Sequence, residues 1–362
     1  MQAALGLASR GLGQVWPNPA VGCVLVREDL GGSVVGRGWT QPGGRPHAET
    51  EAISRAGELS RGATAYVTLE PCDHQGQTGP CSQALIDAGI GKVVIACTDP
   101  DPRVSGEGII RLEKCGVEVR TGLEKGAAER LNAGFFSRII RNRPVVTLKT
   151  ATSMDGCIAT RSGDSQWITG PQARSYGHLL RARHDAILTG IGSILSDNPL
   201  LTCRLPGLEG QSPHRVIVDS QLRIPDNCDL VKSAKHYPAT IITSDNSSVN
   251  VRNSLIKSGV EVIACHQDSQ GQIDLDSALQ LLSEKGITRL LVEAGAKLTG
   301  AFLKGDLVDV IAWFRAPIFI GADGLSALTS LDMDKLNDAK RYSRLATTRL
   351  GDDILDILER QG

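Results

Sequence analysis

The sequence predicts two successive α/β domains that meet near residue 143. Three observations carry this: the length, an alternation of strand-like and helix-like segments that restarts after residue 144, and a basic, proline-bounded stretch between the halves. A chain of 362 residues exceeds one typical core and suggests two, each able to bury most of its apolar surface. Arg138 to Pro144 is basic and turn-prone, and Pro144 opens the β-branched run Val145-Val146-Thr147-Leu148. The expected domains are therefore 1–143 and 144–362.

In the first half, Gln2 to Leu12 has helical composition and precedes two strand candidates, Val21 to Val26 and Ser33 to Gly36. A helix over Ala48 to Leu59 leads to a buried strand, Ala65 to Leu69, that stops at Glu70-Pro71. Helices at Ser82 to Ala88, Ile109 to Cys115 and Glu124 to Ile140 then alternate with strands at Lys92 to Cys97 and Val117 to Val119. The second half repeats the alternation, with strands at Val145 to Thr150, Ala186 to Thr189, Arg215 to Asp219, Thr240 to Thr243, Val260 to Ala264, Arg289 to Glu293 and Val308 to Phe314. No internal repeat or low-complexity segment interrupts it.

Composition narrows the function classes. A net charge of −1 provides no field for nucleic acid, and four Trp, four Tyr and five Phe are too few for a base-stacking groove. A small-molecule substrate is expected instead. Nine cysteines at irregular spacing, no signal peptide at Met1-Gln2-Ala3 and no apolar run near 20 residues suit a cytoplasmic chain with reduced thiols and no membrane association. Cys23, Cys97, Cys115, Cys157, Cys203, Cys228 and Cys265 read as ordinary core or surface residues.

Chemistry concentrates between residues 47 and 81, in His47-Ala48-Glu49, Pro71-Cys72 and Cys81. One imidazole and two thiolates are a ligand set for catalytic zinc, which keeps three protein ligands and leaves the fourth position to a water of pKa near 7. Glu49 is placed to take a proton from that water and return it to the ring nitrogen and leaving ammonia of an amidine-like carbon. This is the inventory of a hydrolytic deaminase. The usual spacing is H-x-E with P-C-x-x-C, whereas here a longer loop, Asp73 to Pro80 with His74, Gly76 and Gly79, separates the cysteines. On the predicted elements His47 and Cys81 fall at helix N-termini, where the dipole favours anions. Two unrelated core cysteines and a capping histidine are the bland alternative, and they leave the ordered proline and extra glutamate unexplained. His74 is a rival ligand, read here as a loop residue facing substrate.

Signals in the second half are weaker one by one. Gly190-Ile191-Gly192-Ser193 follows a strand, as in turns that bring backbone N–H groups to a phosphate, but Leu195 replaces the third glycine of the dinucleotide fingerprint. Glu293-Ala294-Gly295-Ala296-Lys297-Leu298-Thr299-Gly300 repeats the strand, glycine turn and helix pattern, and two such turns point to a nucleotide with more than one phosphate. Arg181, Arg183 and Arg204 are candidates for a substrate phosphate, with Arg183 read preferentially as solvated. Asp219 resembles the acidic residue that grips an NAD ribose, and Glu293 is a candidate for holding substrate hydroxyls or for capping the helix after it.

The order Pro17-Asn18-Pro19, Val21-Gly22, His47-Ala48-Glu49, Thr68-Leu69-Glu70-Pro71-Cys72, Gly79-Pro80-Cys81, Ser165-Gln166-Trp167-Ile168-Thr169, Asp197-Asn198-Pro199, Leu201-Thr202 and Val292-Glu293-Ala294-Gly295 resembles the bifunctional riboflavin-biosynthesis deaminase/reductase family across essentially the whole chain. The resemblance implies a cytidine-deaminase-like three-layer α/β/α domain followed by a dihydrofolate-reductase-like α/β domain. It implies zinc, one per chain, and NADPH as cofactors. The implied reactions are deamination of 2,5-diamino-6-ribosylamino-4(3H)-pyrimidinone 5′-phosphate and reduction of its ribosyl group to ribityl. Carried over by residue, His47, Cys72 and Cys81 bind zinc, Glu49 shuttles protons and Asn18 contacts the pyrimidine. Ser165, Arg181, Leu201, Arg204 and Glu293 fall where the family binds the phosphoribosyl substrate. Ala151, Trp167, Ser193, Asp197, Ser220 and Gly295, Ala296, Lys297, Leu298, Thr299, Gly300 and Ala301 fall where it binds NADPH, with Arg223 a further candidate beside the 2′-phosphate. Two features depart from the family: Glu293-Ala294-Gly295-Ala296 has an alanine where a second glycine is usual, and Met1-Gln2 lies inside what resembles the first helix. A homo-oligomer, dimer or tetramer, is expected. A nucleoside or guanine deaminase with an unrelated C-terminal module explains nothing after residue 144. An RNA-modifying or regulatory protein would call for a basic face and exposed aromatics that this composition lacks.

Overall fold

A computed structural model describes residues 1–75, 79–101 and 105–361. The chain divides into two compact units, Met1–Arg143 and Pro144–Gly362. Gly76 of the sequence reading lies outside the described residues.

The first unit is built on a five-stranded sheet ordered β2-β1-β3-β4-β5. Its strands are β1 (Gly22–Arg27), β2 (Ser33–Trp39), β3 (Thr64–Val67), β4 (Lys92–Ile95) and β5 (Glu118–Thr121). β1 runs antiparallel to both β2 and β3, while β3, β4 and β5 are mutually parallel. Helices α1 (Gln2–Ala8), α2 (Ala48–Ala56), α3 (Cys81–Asp87), α4 (Glu107–Lys114), α5 (Lys125–Leu131) and α6 (Ala133–Arg141) connect and cover them. Apolar residues bury a common core that includes Cys23 and Leu25 of β1, Ala52 of α2, Val67, Leu85 and Ile95. Parallel strands buried on both faces read as continuous apolar runs, which is why β3 and β4 stand out in the sequence.

The helix expected over Glu124 to Ile140 is two helices. Asn132 breaks it: the residue has φ −97° and ψ 16°, outside helical geometry, and its buried amide turns to Ala20. Ala20 N–H donates to Asn132 Oδ1 at 2.9 Å and Asn132 Nδ2 donates to Ala20 C=O at 3.1 Å. An asparagine that bonds remote backbone in this way is a poor helix interior residue.

The second unit holds a nine-stranded sheet ordered β11-β10-β9-β8-β12-β6-β13-β16-β15 and a small pair, β14-β7. The strands are β6 (Val145–Thr152), β7 (Cys157–Ala159), β8 (Ala186–Gly190), β9 (His214–Val218), β10 (Ala239–Ser244), β11 (Glu261–Cys265), β12 (Arg289–Val292), β13 (Val310–Arg315), β14 (Leu325–Ser326), β15 (Tyr342–Leu350) and β16 (Asp353–Arg360). The helices are α7 (Pro171–Ala182), α8 (Ile191–Asp197), α9 (Asp229–Lys232), α10 (Val249–Lys257), α11 (Leu275–Glu284) and α12 (Ala296–Lys304). The seven strands from β11 to β13 in that order are parallel, and β16 alone runs against them, antiparallel to both β13 and β15. From β8 the chain steps outward through β9, β10 and β11, then returns to insert β12 between β8 and β6. That reversal makes the carboxyl ends of β8, β12 and β6 a topological switch point, where the crevice outside the strand ends is the usual ligand position in such sheets.

The hairpin β15–β16 and the pair β7–β14 were not legible in the sequence. Asp353–Arg360 spaces its apolar residues in threes, a pattern as compatible with a helix as with a strand, and register against β13 decides it.

Candidate functional site

In the first unit three elements converge. β3 ends in the segment Thr68–Cys72, held to β1 because Gly22 N–H donates to Thr68 Oγ1 at 3.0 Å. This delivers Cys72. His47 is the N-cap of α2 and Cys81 the first residue of α3, as the sequence places them. Their side-chain donor atoms all lie within 4.8 Å of one another, with His47 Nδ1 3.2 Å from Cys81 Sγ and 3.7 Å from Cys72 Sγ. Among the described residues this is the one such group of metal-ligating side chains.

The electrostatics suit a dication. A hydrogen bond from the Cys81 thiol draws the Cys72 thiol down to about 4, with His47 acting in the same sense, and the same bond pushes Cys81 well above its ordinary value. One sulfur of the pair is thus drawn toward the thiolate and the other held as the thiol. Zinc satisfies both as thiolates, so the donor set fits that metal. Glu49, in the first turn of α2, is 3% exposed, and burial followed by the Cys72 charge raises its carboxyl to about 7 against the opposing pull of His47. A carboxyl poised there both accepts and returns a proton at neutral pH.

Asn18 lies on the loop before β1, against the turn that leads to His47. Gly44 has φ +84°, and a Cβ there would fall 1.9 Å from Asn18 Nδ2, so only glycine allows this approach. Asn132, which the sequence reading did not single out, fixes the end of the same loop through Ala20. The signal available was a polar residue inside an otherwise amphipathic helical run. His74 is half-buried, and its Nδ1 has no partner among the described residues.

In the second unit the crevice gathers residues from four parallel strands. Glu293, just past β12, accepts from Arg181 of α7 in a bidentate pair, Nε to Oε1 at 2.9 Å and Nη2 to Oε2 at 3.0 Å, and Lys149 of β6 approaches Oε2 at 3.5 Å. Burial alone would raise the Glu293 carboxyl, but Arg181 and Lys149 overcome it and hold it well below the usual carboxylate range. Glu293 therefore pairs with two cations and does not cap α12, whose N-cap is Gly295 without a side-chain cap. Arg181 also donates Nη1 to Thr202 C=O at 3.1 Å, so its fork is spent inside the protein.

Arg204 is exposed, with no side-chain partner among the described residues, and its backbone N–H donates to His178 Nδ1 at 3.2 Å. Burial, then the Arg181 and Arg204 charges, lower the His178 pKa. Because Nδ1 accepts the Arg204 N–H, the ring proton is placed on Nε2. Neither Lys149 nor His178 belongs to a recognisable motif; a strand and a helix of the parallel layout bring them in. Arg183 is exposed, as its solvated reading requires. Leu201 sits buried at φ +57° between Leu200 and Thr202, whose carbonyls are held by Arg215 and Arg181.

The proposed coenzyme residues partly assemble. Ala151 near the end of β6, Ser193 on α8, Ser220 past β9 and the α12 turn from Gly295 lie toward one edge of the sheet. Gly190 faces α12, where a Cβ would meet Leu298 at 3.4 Å, while Gly192 and Gly295 face open space. Thr189 Oγ1 and Asp219 Oδ1, at the ends of β8 and β9, are buried with no partner among the described residues, so the edge offers unsatisfied polar atoms to a ligand. Asp219 Oδ2 accepts from Ile224 N–H at 2.9 Å, which folds its own loop. Of the helix residues, Thr299 Oγ1 bonds Ala294 C=O and Gly300 packs on Thr329, while Ala296 and Leu298 are half-buried and Lys297 and Ala301 are exposed. Asp197 ends α8 and is exposed. Ser165 and Trp167 lie on the loop between β7 and α7, with Trp167 67% exposed beneath the Arg174 guanidinium at 4.7 Å.

Comparison with known proteins now decides the family. Residues 1–97 match the cytidine and deoxycytidylate deaminase zinc-binding region, and residues 144–355 match the RibD C-terminal domain. The chain is 40% identical over 355 residues to the riboflavin biosynthesis protein RibD of Bacillus amyloliquefaciens, covering 98% of this chain and 94% of that one. The chain belongs to the RibD family. Its fold is similar to that of Acinetobacter baumannii RibD, with a TM-score of 0.89 at 36% identity over 100% of this chain and 98% of that one. It is also similar to the diaminohydroxyphosphoribosylaminopyrimidine deaminase/5-amino-6-(5-phosphoribosylamino)uracil reductase of Thermotoga maritima, with a TM-score of 0.86 at 34% identity over 100% and 97%. As a RibD-family member the chain is a bifunctional deaminase/reductase of riboflavin biosynthesis, with a zinc-binding deaminase domain and an NADPH-dependent reductase domain. Both α/β fold classes expected from the sequence stand. No helix among the described residues is long and apolar enough to cross a membrane.

Proposed function

We propose that residues 1–143 deaminate 2,5-diamino-6-ribosylamino-4(3H)-pyrimidinone 5′-phosphate and that residues 144–362 reduce the product to 5-amino-6-ribitylaminouracil 5′-phosphate. The observation that carries this reading is the convergence of three ligand atoms within 4.8 Å beside a buried Glu49. The name of the Thermotoga maritima relative supports the same pair of reactions.

His47, Cys72 and Cys81 hold the metal, which when bound lowers the pKa of a water from about 15.7 to near 7 and so supplies the nucleophile. Glu49 takes one proton from that water and passes it to the ring nitrogen, then carries the second, from the oxygen that becomes the product carbonyl, to the amino group that leaves as ammonia. Asn18 orients the pyrimidine from the loop beside His47. In the second step NADPH supplies hydride to the opened ribosyl carbon, and the protein contributes chiefly placement. Glu293 and Lys149 hold the ribosyl end, while Ser165, Leu201 and Arg204 complete the substrate pocket. Arg181 acts there by fixing Glu293 and Thr202, which leaves Arg204 as the fork for the phosphate. Ala151, Trp167, Ser193, Asp197, Ser220 and the turn Gly295 to Ala301 hold the coenzyme.

Nine free cysteines support a reducing, cytoplasmic setting. Residues 343–349 of β15, an edge strand, are exposed, which supports a homo-oligomer that covers them. Elemental analysis and X-ray absorption test the central assignment: about one zinc per chain with Zn–S near 2.3 Å is expected. Active protein without transition metal would overturn it.

A further inference from the structure

We propose that Asp73, Ser82 and Arg111 form a latch that sets the separation of the two thiolate ligands, with Arg111 a positioning residue for the metal centre; this rests on the zinc reading above. A two-residue spacer between cysteines fixes its sulfurs through the backbone. Here the spacer is Asp73 to Pro80, and ordering a longer loop costs conformational entropy that grows with its length. Contacts at the base of the loop must then do what the short spacer does by itself.

The structure supplies them in one cluster. Asp73, next to Cys72, accepts a hydrogen bond from Ser82 Oγ, next to Cys81. Arg111 of α4 donates Nη1 to the same Asp73 Oδ1 at 3.0 Å, and donates Nη2 to Gln83 of α3. Two backbone donors close the same seam: Ser82 N–H to Cys72 C=O at 3.2 Å, and Cys81 N–H to Cys72 Sγ at 3.4 Å. Helix α4 is in turn anchored to the segment that delivers Cys72. Glu70 accepts from Gly106 N–H at 2.9 Å and from Asp99 N–H at 3.2 Å, and a Cβ on Gly108 would fall 2.1 Å from Pro71 C=O. Arg111 thus approaches Asp73 from a fixed platform.

None of the three residues is a ligand or proton carrier in the proposed reaction. The side chains of Asp73 and Arg111 are 18% and 37% exposed, so solvent screens the ion pair and its effect is on geometry more than on global stability. Groups that orient metal ligands typically alter metal affinity by about 10–100-fold when removed.

The test uses the full-length chain. Arg111→Met and Asp73→Ala should each raise the Zn²⁺ dissociation constant, read by competition with a chromophoric chelator, by about 10–100-fold. Arg111→Lys, which keeps one donor, should recover part of the loss. In Co²⁺-substituted protein the thiolate charge-transfer band should weaken or shift in Arg111→Met, a change that general destabilisation does not produce. Reduction of pre-deaminated substrate should be unaffected. Zinc affinity and cobalt spectrum both within about twofold of the parent would overturn the latch and leave the zinc reading standing. A parent chain that takes up no Zn²⁺ would overturn both. Should Asp73→Ala fail to fold, the two Arg111 variants carry the same outcomes.

Discussion

The candidate metal ligands come from between positions 47 and 81, whereas the residues proposed for the reductase site come from between positions 149 and 301 and are brought toward one another only through sheet topology. The first site is a converged donor set with a surplus of negative character, two adjacent sulfurs, one drawn toward the thiolate, beside a raised carboxyl. A dication completes it. In the second, the buried Glu293 carboxylate is already paired with two cations in the Arg181–Glu293–Lys149 cluster, and what remains open among the described residues is an exposed arginine, two glycine turns and two orphaned oxygens. A metal ion is recognised by charge and short distances, a dinucleotide and a sugar phosphate by a long edge. Chemistry that needs three atoms within a few ångströms leaves a short motif; chemistry that needs a surface leaves scattered residues.

The sharpest way to break the comparison is to remove the proton carrier. Glu49→Gln should keep zinc and cut ammonia release by about 10²–10⁴-fold, with reduction of pre-deaminated substrate nearly unchanged. Normal ammonia release from the zinc-loaded variant would reassign the shuttle.

At the other site the largest effect should come from Glu293→Gln, which strands Arg181 and Lys149 against a neutral amide. Removing one partner of a buried pair costs about 3–5 kcal/mol, toward the lower end here because Lys149 remains 23% exposed. Denaturant unfolding should register that loss in the reductase unit, while zinc content and ammonia release stay at parent levels. An unchanged unfolding midpoint would mean that the cluster does not hold the crevice.

Arg204→Ala probes the proposed phosphate contact, which the protein alone does not make. The Michaelis constant for the ribotide should rise far more than that for NADPH, by the equivalent of about 1.5–3 kcal/mol for a charge-assisted bond. Equal weakening of both would make the loop Asp197 to Arg204 a scaffold. The phosphate would then have to be held elsewhere.

Acid should separate the units more gently. His184 is buried with Nδ1–H donating to Leu180 C=O at 2.6 Å and Nε2 2.9 Å from Thr147 Oγ1, and burial, then Arg289, lower its pKa from 6.5 to about 3. An imidazole that binds its proton more weakly when folded contributes fully above about 6.5 and loses that contribution as pH falls toward about 3. By pH 5 the loss is on the order of 2 kcal/mol. The reductase unit of the parent should therefore unfold at a lower temperature at pH 5 than at pH 7, and His184→Gln should flatten the slope; identical slopes would remove His184 from the account.

Legibility in the sequence followed the same division. The clustering of His47, Cys72 and Cys81 beside Glu49 was readable because residue type, order and proline context leave few alternatives. The parallel strands were readable as apolar runs, and their turns as glycines. What escaped depended on tertiary contacts: Asn132 splitting a helix to reach Ala20, Lys149 and His178 entering the crevice from regular elements, and a hairpin whose strand β16 has helix-like spacing. Arg181 was read as a candidate fork for phosphate, and only the tertiary pairing reveals that Glu293 occupies it.

The central claim is that one chain carries two separate chemistries in a fixed order, and a single incubation tests it directly. Purified protein is given the diaminopyrimidinone ribotide with and without NADPH while ammonia and NADPH are followed together. Without coenzyme, ammonia should appear and the ribosyl product accumulate; with it, NADPH oxidation should follow ammonia release and match it in amount. The Glu49→Gln chain should do neither with this substrate, yet oxidise NADPH when given the deaminated compound. NADPH oxidation that precedes ammonia release, or that persists in Glu49→Gln on the undeaminated ribotide, would contradict the account.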